Sequence, residues 1–410
     1  MRKFAENKGN RIMNDKIKTI FRYFFVLLMP FVAMAMTGAP RVSLLTVGPG
    51  NQMYQLEGHS ALRIITDDGD DWVVNWGIFD FNSPNFAYRF VKGETDYSIG
   101  ITRMSYFLAD YSHSGRYVVE QPLYLSAIEA EEVKRLVDIN LLPENRKYRY
   151  NYLRDNCATR PLAIIEKALS ADGAHLEILM DDEPTTIREE MRRYHAEFPK
   201  YQMFIDFALG SGIDKEATIR ERAFAPLFLE ELVANSNIVS SDGTPRPLAG
   251  KATTLLHAKF DTPTESGIPA TIIISIIFIS AILVTLRDLK KGTVSKWYDA
   301  IFYSIIGISG TVLVFLVFIS EHEATSPNIN LMWVNPLSLL IPLIIWFKKC
   351  KYIVFYYQII NFALIFVWLI GQPLFTQSTN WLFIPIVGSE MLRSANYIYL
   401  NYKCRNHIKG

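Results

Sequence analysis

From Ile268 onward the chain carries more long apolar stretches than a soluble domain can bury. Five of them run roughly Ile268 to Leu286, Ala300 to Ile319, Leu331 to Phe347, Tyr352 to Ile370 and Trp381 to Leu400. Each is near the ~20 residues that a membrane-spanning helix requires. They predict an all-α, five-helix transmembrane domain over 267–402 with a short tail at 403–410. Before it, from Arg41 to about Ser266, polar and apolar residues are mixed and no long hydrophobic run occurs. That length is enough for one sizeable domain with its own core, expected at 37–250. The Ser-, Gly- and Pro-rich stretch SNIVSSDGTPRPLAGKATTLL reads as the way down to the membrane, with a linker at 251–266.

Loop charges orient these parts. Arg287, Lys290, Lys291 and Lys296 follow the first stretch, Lys348, Lys349 and Lys351 follow the third, and Lys403, Arg405 and Lys409 lie in the tail. Basic loops stay cytoplasmic, so the Lys- and Arg-free loops EHEATSPNIN and GQPLFTQSTN fall outside, together with the domain that precedes the helices. The amino terminus agrees. A basic segment leads into an apolar run from Tyr23 to Met36 that ends Ala33-Met34-Ala35, the order of a secretory signal, cleaved or kept as an anchor over 1–36. The expected location is a bacterial inner membrane, multi-pass, with the first domain periplasmic and the carboxyl terminus cytoplasmic. The net charge of +1 and the absence of a basic patch with interleaved aromatics give no nucleic-acid partner.

On this topology Cys157 is the sole exported cysteine of three, so it has no disulfide partner within the chain. A small buried apolar residue is the bland reading. Its surroundings, DNCATRPLAIIEKALS, offer more. Asp155 or Asn156 reads as an N-cap, a proline falls in the first turns, and Leu162, Ile165, Ala168 and Leu169 recur at helical spacing. A thiol at a helix start is expected to have its pKa lowered, and the same N–H groups can hold an oxyanion. A nucleophilic thiol also needs a base. Of the exported histidines, His59 stands apart: it precedes ALRII, a DDGD turn and WVVNWG, a hairpin with Asn75 on the second strand. Asn75 can then orient the imidazole as the third member of a triad does. His175 and His195, in charged helical surroundings, read as solvated surface.

The stretches GPGNQMYQLEGHSALRI, VVNWGIFDF, RYNYLRDNCATRP, TIREEMRRY to FALGSGIDKEA, and NPLSLLIPL together resemble the Lnb-type lipoprotein N-acyltransferase family. Histidine precedes cysteine by about a hundred residues, the order of the circularly permuted branch of the papain-like NlpC/P60 superfamily. The resemblance implies an α+β fold, a permuted papain-like (NlpC/P60-like) exported domain followed by the five-helix transmembrane domain. It implies Cys157 as nucleophile and His59 as its base, with Asn75 matched by strand position. Glu57 departs from the pattern, standing where an apolar residue is expected before the Gly-His pair. The implied activity moves an acyl chain from a membrane phospholipid, through a Cys157 thioester, to the α-amine of a diacylglyceryl-cysteine lipoprotein.

Two other readings compete. A membrane-tethered periplasmic cysteine peptidase or amidase acting on cell-wall peptide would share the dyad but leave five helices unexplained. An inactive papain-like binding module would not need the thiol. Ser126 with Glu129 and Thr186 with Glu189 read as capping boxes of scaffold helices. In the membrane, Glu390 and Arg393 are three apart on one helix face, either an internal ion pair or a substrate contact. His322, with Glu323, lies in an outside loop where it would shape a lipid site or be solvated. No run of ligands at fixed spacing suggests a metal, and no cofactor is expected.

Overall fold

The computed structural model describes residues 38–407 except 81, 182 and 261–263. The predicted signal segment 1–36 and the last three residues of the predicted tail lie outside them. The N-terminal part is built on a seven-stranded antiparallel sheet. Its strands are β1 (Arg41–Val47), β2 (His59–Ile65), β3 (Asp71–Ile78), β4 (Asp96–Arg103), β5 (Val118–Pro122), β6 (Lys147–Arg149) and, from far along the chain, β10 (Thr253–Leu256). The spatial order is β10-β5-β1-β2-β3-β4-β6. A small second sheet joins β7 (His175–Ile178), β8 (Ser236–Val239) and β9 (Pro245–Pro247). The stretch expected to lead down to the membrane is therefore largely strand, and β10 within the expected linker closes the sheet edge against β5.

Both faces of the large sheet are covered, because its central strands are apolar on both sides of the pleat. Val42, Leu44, Leu62, Ile64, Val74 and Trp76 pack on one side against helices α3 (Ala127–Leu141), α4 (Thr159–Ala171) and α7 (Pro226–Ala234). Leu45, Val47, Ala61 and Val73 pack on the other against Met104 and Phe107 of α2 (Met104–Ser114). A shorter helix, α1 (Phe86–Lys92), fills the excursion between β3 and β4. The capping boxes form as expected: the Ser126 side chain accepts from the Glu129 amide at the start of α3, and Thr186 does the same for Glu189 ahead of α5 (Ile187–Tyr194).

Among the described residues three helices are long and apolar enough to cross a membrane: α8 (Ala270–Lys291), α9 (Lys296–Phe318) and Lys348–Leu374, mostly α10 (Lys351–Gly371). The other two expected spans differ. Leu331 to Phe347 is broken into 3-10 turns and one short α-helical turn, Leu340–Ile344. Its irregular backbone packs against α9, where a Cβ on Gly307 would lie 2.6 Å from the Leu339 nitrogen and one on Gly310 would lie 2.5 Å from the Val334 carbonyl oxygen. Glycine is what lets the two backbones touch. The fifth stretch is a long helix, α11 (Phe383–His407), that buries Ser389, Glu390, Arg393, Ser394 and Asn396. These polar side chains dilute its apolar character.

The two Lys- and Arg-free loops lie against the α/β domain. Gly210 N–H donates to the Ala324 carbonyl at 2.8 Å, and Asn328 Nδ2 donates to the Phe207 carbonyl at 3.1 Å. The Asn380 amide reaches Asp206 at 2.9 Å. A Cβ on Gly210 would lie 2.2 Å from the Pro327 carbonyl oxygen, so this contact requires glycine. Beneath it, fully buried Arg188 pairs with Asp206 at 3.0 Å and Asp214 at 2.7 Å. That arginine fixes the shape of the segment that meets the membrane helices.

Candidate active site

His59 opens β2 and Asn75 lies on β3. The register sets Ala61 opposite Asn75, which makes His59 and Asn75 diagonal neighbours on one face of adjacent strands. Nε2 of the ring lies 3.1 Å from Asn75 Oδ1. With Oδ1 accepting, Nε2 carries the ring proton and Nδ1 keeps its lone pair. Tyr111 of α2 stacks on the ring at 6.4 Å. Burial pushes the imidazole down to about 4; the Asn75 bond opposes this and the charge of Arg116 adds to it.

Cys157 lies in the turn before α4, two residues ahead of Thr159, where the helix begins. Asn156 is the reason: its Oδ1 accepts from the Ala158 and Thr159 amides at 2.8 and 2.9 Å. The N–H groups expected to face the thiol are thereby occupied. Burial instead pushes the thiol up to about 11, aided by the charge of Glu57, while N–H groups of Ser60 and of Cys157 itself, together with Arg116, favour the thiolate. The expected lowering is thus reversed, because the cost of burying an anion exceeds what the local dipoles return. At neutral pH the resting pair is a neutral thiol and a neutral imidazole. The Ser60 amide, next in the chain after His59, is the donor directed at the sulfur, so the start of β2 and the cysteine turn share one site.

A bulge in β3 between Asn75 and Ile78 contains Gly77, whose φ of 82° favours glycine. A Cβ there would sit 3.6 Å from Tyr150 Cε2 and 3.7 Å from Cys157 Cβ, so the bulge, the thiol and Tyr150 meet at one point. Arg116, which carried no sequence signal, completes the surroundings. It is 7 % exposed, its Nε donates to the Gly48 carbonyl at 2.7 Å, and its Nη2 has no hydrogen-bond partner among the described residues. Its guanidinium lies 5.2 Å from the Tyr111 ring centre.

The remaining predicted positions lie elsewhere. His322 Nε2 donates to the Phe90 carbonyl of α1 at 2.9 Å. Its neighbour Glu323 holds Asn151 at 2.7 Å and Arg154 at 3.1 Å, bracing the loop that leads to Cys157. Glu390 and Arg393 do not pair with each other. Arg393 is held by Asp299 at 2.6 Å and Asp288 at 2.8 Å from other helices, and Glu390 accepts from Asn361 at 2.9 Å. His195 is buried rather than solvated: Gln202 lies 2.8 Å from Nδ1, and Glu57 lies 3.4 Å from Nε2. Glu57 also takes the Tyr152 hydroxyl, which explains a carboxylate at that position. Among the described residues no three His, Cys, Asp or Glu side chains converge as a metal site.

A two-sided α/β domain, carrying a thiol, an imidazole and an amide close together and seated on apolar helices, defines a membrane-anchored protein. Comparison with known families matches residues 36–193 to the Lnb N-terminal periplasmic domain and residues 262–405 to the Lnb transmembrane domain. The chain belongs to the Lnb family, and its N-terminal domain is periplasmic. No curated protein and no solved structure matches it.

Proposed function

We propose that this protein is a cysteine-dependent lipoprotein N-acyltransferase with Cys157 as nucleophile, His59 as base and Asn75 as the residue that orients the ring. The observation that carries the reading is the hydrogen-bonded His59–Asn75 pair beside a lone thiol, in a domain bonded to the loops between the membrane helices. The resting pair being neutral, the proton leaves the thiol as it attacks. Sulfur adds to the ester carbonyl of a membrane phospholipid while His59 takes the thiol proton. Collapse of the adduct breaks the ester C–O bond, and the lysophospholipid alkoxide leaves with the proton from His59. The α-amine of a diacylglyceryl-cysteine then attacks the thioester, giving its proton to His59, and the thiol is restored as it departs. The N–H groups of Ser60 and of Cys157 itself, which act on the sulfur in the resting state, are the donors available to the oxyanion.

The seat on the membrane supports a lipid donor over a soluble one. Burying a methylene is worth about 0.8 kcal/mol, so a long-chain donor stays in the bilayer and the enzyme has to meet it there. Mass spectrometry of lipoprotein N-terminal peptides tests the reading. Cys157→Ala is expected to leave a free α-amine, and Cys350→Ala to leave N-acylation intact. Continued N-acylation in a Cys157→Ala strain without a second such enzyme would overturn it; uncleaved cell-wall peptide accumulating in that strain would favour the amidase.

A further inference from the structure

A line of aromatic rings leads away from the thiol. Tyr150, which meets Cys157 across Gly77, stacks on Tyr97 at 4.1 Å. Tyr97 contacts Phe79 at 5.2 Å, Phe79 stacks on Phe86 at 6.0 Å, and Phe86 on Phe90 at 5.9 Å. Tyr54 meets Phe79 edge-on at 5.6 Å from the loop between β1 and β2. The far end of the line reaches the membrane helices. Tyr88 of α1 lies 6.3 Å from Phe315 in the last turn of α9, and the loop that follows α9 bonds to the Phe90 and Lys92 carbonyls.

Among the described residues the outer end of this line lies open. Tyr54, Tyr88, Phe90 and Val91 are exposed, as is Phe318 at the neighbouring end of α9. An apolar patch continuous with the end of a membrane-spanning helix belongs at the bilayer surface, where aromatic side chains are favoured. Arg89 and Lys92 on the same short helix reach carboxylates of Asp96 and Glu94, which leaves the rings as its outward apolar part. The two ends differ in kind: one is the Cys157 thiol, the other an exposed apolar patch beside the end of α9.

We propose that this aromatic track is the binding site for the acyl chain of the lipid donor, running from the bilayer edge at Tyr88 and Phe90 to Tyr150 beside Cys157. The proposal rests on the acyltransferase reading and adds to it where the chain lies and what selects its length. An apolar chain of many methylenes gains from each ring it covers, so the track discriminates by chain length, whereas the thiol and imidazole act on the carbonyl and do not.

The test uses the full chain reconstituted in vesicles of equal parts dioctanoyl and dipalmitoyl phosphatidylethanolamine, with the Cys157 acyl-thioesters read by intact-protein mass spectrometry. Because both thioesters come from one sample, their ratio does not depend on the fraction of protein folded. Wild type is expected to favour the sixteen-carbon chain. Phe86→Ala and Tyr54→Ala should each lower the ratio of long to short chain by about tenfold; Phe86→Leu should restore most of it, and Tyr106→Ala, at an exposed position of α2, should leave it unchanged. A wild-type ratio in both Phe86→Ala and Tyr54→Ala, or an equal fall in Tyr106→Ala, would overturn the track. Absence of any thioester in wild type, with Cys157 still open to alkylation, would instead overturn the parent reading and the track with it.

Discussion

Arg188 and Arg116 are both buried arginines in the α/β domain, and they are treated in opposite ways. Arg188 has two carboxylates and the carbonyls of Leu209 and Gly210 around its guanidinium. In the membrane region Arg393 is satisfied likewise, by Asp288, Asp299 and Thr285. Arg116 has one carbonyl, one aromatic neighbour and an empty Nη2. A saturated buried charge holds elements in place, whereas an unsaturated one is a cost that a structural role would have removed. The difference separates scaffold from candidate site without reference to either's position in the chain.

Three experiments sharpen or break this contrast. The largest effect is expected from Arg188→Leu, which removes the buried cation shared by two carboxylates and should destabilise the domain by about 3–5 kcal/mol, read by thermal unfolding of the solubilised protein. A loss under about 1 kcal/mol would mean that saturation is no guide to scaffolding. Next, His59→Ala should slow formation of the Cys157 acyl-thioester by roughly 10²- to 10⁴-fold with the unfolding temperature held, the reverse of the Arg188 outcome. Smallest is Arg116→Gln, which should cost less than about 1 kcal/mol of stability, yet displace a pH profile. In wild type, iodoacetamide labelling of Cys157 should rise about tenfold per pH unit from 7 towards 11 with no plateau near the ~8.5 of a free thiol. The profile should shift further up when the cation beside the thiolate is removed, because Arg116 favours the charged form. An unshifted profile would place Arg116 with the scaffold.

Much of the candidate site's geometry was legible because its members carry local signals. Cys157 is isolated by topology, His59 is marked by a glycine-rich approach to a hairpin, and Asn75 follows from the two-residue alternation of β3. What escaped depends on contacts distant in sequence. The helix begins only at Thr159, after Ala158 as N-cap, while the expected cap Asn156 holds the preceding turn, its Oδ1 on the Ala158 and Thr159 amides and its Nδ2 on the Phe224 carbonyl. Strands of three or four residues such as β9 and β10 have too few positions to show a period, and only pairing with β8 and β5 defines them. The i,i+3 spacing of Glu390 and Arg393 suggested a pair, but carboxylates of Asp288 and Asp299 on other helices took the arginine. The charged run around His195 looked solvated because the sequence cannot show that Gln202 and Glu57 turn inward to it.

The contact between Gly210 and the loop at 324–327 has a consequence for how the molecule is made. The segment carrying Gly210 emerges from the ribosome more than a hundred residues before that loop, and chains fold largely from the amino terminus as they are synthesised. The periplasmic domain is therefore the mould, and the loop is cast on it when the second helix delivers it across the bilayer. A side chain at position 210 would act at that late moment: each half would be sound, and the product would be two well-formed pieces that fail to close.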